Sequence, residues 1–363
     1  MPRLACHGLV LAAAALAVTA CASSSGDDAA VADEAALTAA HTNPVLPIDC
    51  PDPGVLRDTD ATGVVYTMVC TTNGRDDVFR FYQSRDLVKW TTTSQFVFPG
   101  KHPESDASKR HPWANDNFWA PEIHRMADGS YVVYYTARSR DNGRLCIGTA
   151  TAPTALGPYV ESRTPIVCHD DFGVIDATYF RDDDGSAYLY WKDDGNDPAA
   201  DIQKALGGRT QFHVQRLSAD GLSLTGSPKG LIDHELDWEG NLIEAPWVVK
   251  RGDLYYLFYS ANSYCDGRYA VGVASAKSPL GPFLKHPSGD PILSSGDGFD
   301  GPGHGSVVTS PDGKSLSFVY HSWNAGENCN KSGSARRVLL DGVSWSTISG
   351  TSWPKINDGH PSH

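Results

Sequence analysis

A formal charge of −13, from 43 acidic and 30 basic residues in a chain of 363, argues against nucleic acid or an anionic membrane surface as partner, since both require basic surface. Apolar residues make up 40% of the chain, enough for a sizeable core. The length suits two average domains or one large all-β barrel or propeller, and the acidic balance fits a protein acting on a neutral ligand.

The first residues have the form of an export signal. Arg3 supplies a positive start, Leu9 to Ala17 form an apolar run too short to span a bilayer, and Val18-Thr19-Ala20-Cys21 resembles a bacterial lipobox. The expectation is a signal over residues 1–21 and lipidation of Cys21 as the mature N-terminus. The product is then an exported cell-surface lipoprotein, touching the membrane only through its lipid anchor. Cleavage after Ala22, giving a secreted form, is the alternative. Residues 22–42 are rich in Ser, Asp and Ala, poor in large apolar groups, and read as a disordered tether. The folded domain is expected over 43–353, with 354–363 as a C-terminal tail.

Setting aside Cys6 and Cys21 leaves Cys50, Cys70, Cys146, Cys168, Cys265 and Cys329. An even number in an exported chain points to disulfides, and six cysteines allow 15 pairings. Pairing of sequence neighbours is expected: Cys50 with Cys70, Cys146 with Cys168, and Cys265 with Cys329. No C-x-x-C spacing marks a zinc site.

The chain repeats itself. "GRLCIGTATAPTALGPY" from Gly143 and "GRYAVGVASAKSPLGPF" from Gly267 align without a gap, 124 residues apart, and "YVVYYTA" from Tyr131 and "YYLFYSA" from Tyr255 keep the same offset. Further aromatic strands begin at Val64, Ala187 and Leu316, so the offset spans two units and five units fill the chain. A tight turn precedes each strand, at Gly63, Gly129, Gly185, Gly252 and Gly313, supplying the positive φ that short hairpin loops need. Another short strand precedes each turn and others follow. Five antiparallel units of about four strands predict an all-β, five-bladed β-propeller.

The heads of the five first strands carry Asp52, Glu122, Asp176, Glu244 and His304, lying 11, 7, 9, 8 and 9 residues before the turn. Equivalent positions on radial blades converge on the axis, so four carboxylates and an imidazole are expected around one central pocket. Such a ring can hold a divalent cation or perform acid–base work on a neutral substrate. Glycoside hydrolysis needs two carboxyl groups in opposite protonation states. Glu244 sits in the apolar run Leu-Ile-Glu-Ala-Pro-Trp, which is expected to raise its pKa and keep it a proton donor. Asp52, between two prolines, is expected to stay ionised and activate water, with Asp176 as a third, orienting charge.

"NPVLPIDCPDPGV", "FWAPEI", "VIDATYF", "LIEAPW" and "GPGHGSVV", in this order, resemble glycoside hydrolase family 43 over roughly residues 43 to 353. The resemblance implies a five-bladed propeller that hydrolyses glycosides with inversion. It implies Asp52 as general base, Asp176 as pKa modulator and Glu244 as general acid. It further implies that His304, on the axis, helps in some relatives to hold a calcium or other small ion; no cofactor is otherwise required. Arg336 resembles an arginine that in some relatives reaches the sugar beside the acid, with a surface salt bridge as the alternative. Phe118 and Trp119 are candidate sugar-stacking residues, with inter-blade packing as the alternative, and Trp113 and Trp323 share that ambiguity. Glu122 is expected to tie blades together through backbone amides, and the acidic run at Arg181 to be a hairpin.

The implied function is that of an exported inverting glycosidase, expected to be a monomer. Its expected substrate is a plant-wall oligo- or polysaccharide bearing α-L-arabinofuranosyl linkages, as in arabinan or arabinoxylan-derived sugars. A β-xylosidase and a non-catalytic carbohydrate-binding propeller are the alternatives.

Overall fold

The computed structural model describes residues 41–72, 77–100, 110–194 and 210–363; the expected signal, Cys21 and nearly all of the tether lie outside the described residues. The strands fall into five four-stranded antiparallel sheets in chain order. Blade 1 holds β1 (Gly54–Asp60), β2 (Gly63–Val69), β3 (Val78–Ser84) and β4 (Thr91–Phe98). Blade 2 holds β5 (Trp119–Arg125), β6 (Tyr131–Arg138), β7 (Leu145–Ala152) and β8 (Val160–Glu161). Blade 3 holds β9 (Gly173–Arg181), β10 (Ala187–Asp194), β11 (Phe212–Leu217) and β12 (Leu224–Gly230). Blade 4 holds β13 (Ile243–Arg251), β14 (Leu254–Ala261), β15 (Ala270–Ala276) and β16 (Leu284–Lys285). Blade 5 holds β17 (Phe299–Thr309), β18 (Leu316–Asn324), β19 (Arg337–Ile348) and β20 (Thr351–Ile356). The expected five-bladed propeller is thus the observed fold. All five turn glycines have positive φ, which the tight hairpin between each first and second strand requires.

The core lies between blades. One cluster packs Phe79, Phe81 and Phe98 of blade 1 against Ile123, Val133 and Tyr135 of blade 2, and four similar clusters join each further pair of neighbours round the ring. The 124-residue repeat has a packing cause. Tyr135 and Tyr259 pair across their sheets with Gly148 and Gly272. A Cβ on either glycine would stand 2.6 Å and 2.5 Å, respectively, from the tyrosine ring. Both hydroxyls then reach buried glutamates, Tyr135 donating to Glu161 at 2.6 Å and Tyr259 to Glu239 at 2.7 Å.

Ser306 of blade 5 closes the ring on blade 1, its Oγ accepting from Val55 N–H at 3.0 Å and donating to the Pro53 carbonyl at 2.8 Å. The N-terminal segment lies along β19: Leu46 bridges to Val338, and Asn43 exchanges hydrogen bonds with the Leu340 backbone. Beyond Trp353, β20 continues to Ile356, and the tail returns so that the Ser362 carbonyl accepts from Asn43 at 3.1 Å. The three disulfides join the expected neighbours.

Candidate active site

Each blade enters the axis through a non-glycine residue in the left-handed region: Asp52 (φ 57°), Ala120 (42°), Asp176 (57°), Ala245 (56°) and His304 (43°). Such a conformation is costly for a side chain bearing a Cβ and persists only where its surroundings enforce it. The enforcement comes largely from the preceding blade. The backbone N–H of Ala120 donates to Thr71 Oγ1 at 2.8 Å, that of Asp176 to Thr136 Oγ1 at 3.2 Å, that of His304 to Ser260 Oγ at 2.8 Å and that of Asp52 to His321 Nδ1 at 3.1 Å. Ala245 N–H donates instead to Asp176 Oδ2 at 3.0 Å. Thr71, Thr136, Lys192, Ser260 and His321 occupy matching places, seven or eight residues after the turn glycine of each second strand.

This pattern corrects the expectation of one titratable group at the same place in every blade. Asp52, Asp176 and His304 occupy the kink, Glu244 directly precedes it, and blade 2 has Ala120 there. Glu122 lies two residues further on. It joins blade 2 to blade 3 by accepting from the Thr178 hydroxyl at 2.5 Å, and it contacts His124 at 3.0 Å; its partners are side chains, not the expected backbone amides.

Asp52, Asp176, Glu244, His304 and Arg336 line one cavity of about 190 Å³, together with Trp119, Tyr264 and Thr71. Asp52 receives the Thr71 hydroxyl on Oδ2 at 2.5 Å and Arg336 on Oδ1 at 3.1 Å, with His304 Nδ1 at 3.4 Å. Burial opposes its ionisation, yet the charges of Arg336 and His304 hold it well below the usual carboxylate range. Burial pushes His321 down to about 4, which suits a neutral ring accepting the Asp52 N–H. Burial likewise works against protonation of His304, but Asp52, Asp176, Glu244 and Glu122 outweigh it and raise its pKa.

Asp176 and Glu244 respond to the cavity in opposite directions. Burial, reinforced by the Glu244 charge against an opposing His304, pushes Asp176 up to about 6. Burial would raise Glu244 too, but Lys192, His304 and the Tyr269 hydroxyl hold it below its ordinary value. Lys192 Nζ lies 3.1 Å from Glu244 Oε2, and Tyr269 donates to Oε1 at 2.7 Å. The expectation that an apolar setting keeps Glu244 protonated is therefore corrected. Its sequence neighbours are apolar, but its spatial neighbours include a buried ammonium from blade 3. The two carboxyls influence each other, and the last proton they hold, lost as pH rises through about 6, rests on Asp176 in the free protein.

Of the softer candidates, Trp119 lines the cavity. Phe118 does not: it packs in the inter-blade core edge-on to Phe79 and beside His111. Trp113 is also core, stacked on Tyr135. Trp323 is buried, with the Arg336 guanidinium 6.0 Å above its ring. Arg336 reaches the cavity, but its carboxylate partner is Asp52, not Glu244. The acidic run does form a hairpin, tied to blade 4 by Lys250. Thr71, Lys192, Tyr269 and His321 went unnoticed. The signal for three of them was present in the matching position after each turn glycine, where a lysine inside the aromatic strand "AYLYWK" stands out. Among the described residues no group of three His, Cys, Asp or Glu side chains is arranged to hold a metal ion, and His304 Nδ1 lies 3.4 Å from Asp52 Oδ1.

A closed propeller whose axial cavity gathers three carboxyl groups, one raised and two lowered in pKa, is the architecture of a glycoside-cleaving propeller enzyme. The chain belongs to the glycosyl hydrolases family 43, whose model matches residues 41–348. It is 30% identical to a beta-D-galactofuranosidase of Aspergillus niger, over 77% of this chain and 75% of the relative. It is 28% identical to an extracellular exo-alpha-(1->5)-L-arabinofuranosidase of Streptomyces chartreusis, over 80% and 85% respectively. Among solved structures, a thermostable family-43 glycoside hydrolase superposes with a TM-score of 0.74 at 33% identity, covering 89% of this chain and 97% of that one.

Proposed function

We propose that the protein is an exported, inverting glycoside hydrolase that cleaves α-L-arabinofuranosyl linkages, with Asp52 as general base, Glu244 as general acid and Asp176 as the group that sets the acid's proton. The observation that carries the reading is the placement of all three carboxyls on one cavity with Asp52 held ionised and a single proton retained by the Asp176–Glu244 pair. Asp52 takes a proton from water as the water oxygen bonds to the anomeric carbon. The glycosidic C–O bond breaks as Glu244 delivers its proton to the departing oxygen. In the productive form the pair's proton lies on Glu244. Asp176, then ionised, accepts from Ala245 N–H, the peptide adjoining the acid. Trp119 and Tyr264 offer the cavity's aromatic surface for a sugar face.

The arabinofuranosyl preference rests on the relatives. The Aspergillus enzyme is named for galactofuranosides and the Streptomyces enzyme for arabinofuranosides; β-D-galactofuranose and α-L-arabinofuranose share the configuration of the furanose ring. A xyloside presents a pyranose in its place, although a xylosidase/arabinosidase also appears among the relatives, in Humicola insolens. Export is supported by relatives named extracellular; the lipid anchor at Cys21 belongs to the same proposal. Assay against nitrophenyl α-L-arabinofuranoside, β-D-galactofuranoside and β-D-xyloside, with linear arabinan and xylan, tests the reading. The arabinofuranoside is expected to have the highest kcat/KM, and a dominant xylosidase activity would overturn the assignment.

A further inference from the structure

Asp52 is tied to two disulfides. Cys50 lies two residues before it, and the partner Cys70 directly precedes Thr71, whose hydroxyl donates to Asp52 Oδ2. Both of these cysteines are buried. The second disulfide, Cys265–Cys329, acts at longer range. Cys265 follows Tyr264, whose ring lines the cavity and carries the Arg336 guanidinium 4.9 Å from its centre. Trp323, under the same guanidinium, donates Nε1–H to the Tyr264 carbonyl at 2.8 Å. Arg336 then reaches Asp52 Oδ1 at 3.1 Å. Cys329 belongs to the strand-free segment between β18 and β19 that delivers Arg336.

Tyr264 is 43% exposed, so packing alone leaves its ring weakly held, and the segment carrying Cys329 has no sheet to hold it. A covalent tie between the two fixes the wall against which Arg336 is laid. We propose that Cys265–Cys329 is a positioning clamp for the catalytic machinery: it holds Tyr264 and Arg336 so that the guanidinium stays on Asp52. The proposal rests on the reading of Asp52 as general base. Misplacement of a catalytic group by about 1 Å can cost on the order of 10²-fold in rate.

The cysteine residues differ in exposure, which gives the test its selectivity. Cys329 is exposed and Cys265 half-buried, whereas Cys50 and Cys70 are buried, so mild phosphine treatment of the folded protein opens Cys265–Cys329 first, verified by mass mapping of alkylated thiols. Opening it is expected to lower kcat roughly tenfold or more and to move the acid limb of the kcat/KM profile to higher pH. The sign follows from Arg336, which lowers the Asp52 pKa when in place; a loosened guanidinium lets that pKa rise. The Cys265→Ser/Cys329→Ser double variant should reproduce both effects. The Cys146→Ser/Cys168→Ser variant is the control, since neither residue lines the cavity; it should lose thermal stability while keeping the acid limb in place. Asp52→Asn is measured alongside. If Asp52→Asn stays active, the base assignment itself fails. If Asp52→Asn is inactive while the opened Cys265–Cys329 protein keeps its kcat and its acid limb, the clamp alone is wrong.

Discussion

Lys192 Nζ stands 3.1 Å from Glu244 Oε2 across the boundary between blades 3 and 4, with the lysine side chain 1% exposed. A buried ammonium beside a carboxylate favours the ionised form, so the residue proposed as proton donor is held, in the free protein, by the group least suited to keeping it protonated. The Asp176–Glu244 pair resolves the conflict by storing the proton on Asp176.

The pair makes activity sensitive to moderate alkali. With Asp176 pushed up to about 6, the productive form loses its single proton as pH rises through that value. We expect kcat/KM to fall above about pH 6, with activity greatest on its acid side. A kcat/KM profile flat from pH 5 to 8 would contradict the shared-proton account.

Lys192→Met removes the cation that favours ionised Glu244. The pair then keeps its proton to higher pH, and the alkaline limb should move up by roughly one pH unit or more, as expected for an opposite charge within a few ångströms. Asp176→Asn should act in the other direction: losing a neighbouring negative charge makes Glu244 easier to ionise, so the alkaline limb moves down. Limbs unchanged in both variants would separate these residues from the acid.

Glu244→Gln should reduce activity on nitrophenyl or natural arabinosides by about 10²–10⁴-fold, the usual worth of general acid–base catalysis. The loss should shrink for dinitrophenyl arabinofuranoside, whose leaving group scarcely needs a proton. Asp52→Asn should be damaging with either leaving group, because water activation is needed in both. Equal losses across leaving groups for Glu244→Gln would remove it from the acid role.

Cys21→Ser should release the protein from the membrane fraction of its native host or stall its processing. Unchanged fractionation would show that no lipid is attached there.

The architecture was legible because a propeller writes itself as repetition. Turn glycines, aromatic second strands and the Gly148–Gly272 correspondence all recur, each with a local cause in hairpin geometry or ring packing. The carboxyl groups of the site were legible for the same reason, as heads of repeated strands. What sequence neighbours could not disclose was the state of those groups. Lys192 reaches Glu244 from β10 and Tyr269 from the loop before β15, and Arg336, 284 residues from Asp52 in the chain, arrives only when the ring closes. Phe118 and Trp119 show the limit most simply. They are adjacent and both aromatic, yet Phe118, just before β5, packs into the core while Trp119, the first residue of β5, lines the cavity.

Proton NMR of the first sugar released from an α-L-arabinofuranoside tests the central claim most directly. Direct attack by water activated at Asp52, with no covalent intermediate, requires the β-anomer of arabinose to appear first and the α-anomer to grow in only by mutarotation. Appearance of the α-anomer first would contradict the roles assigned to Asp52 and Glu244.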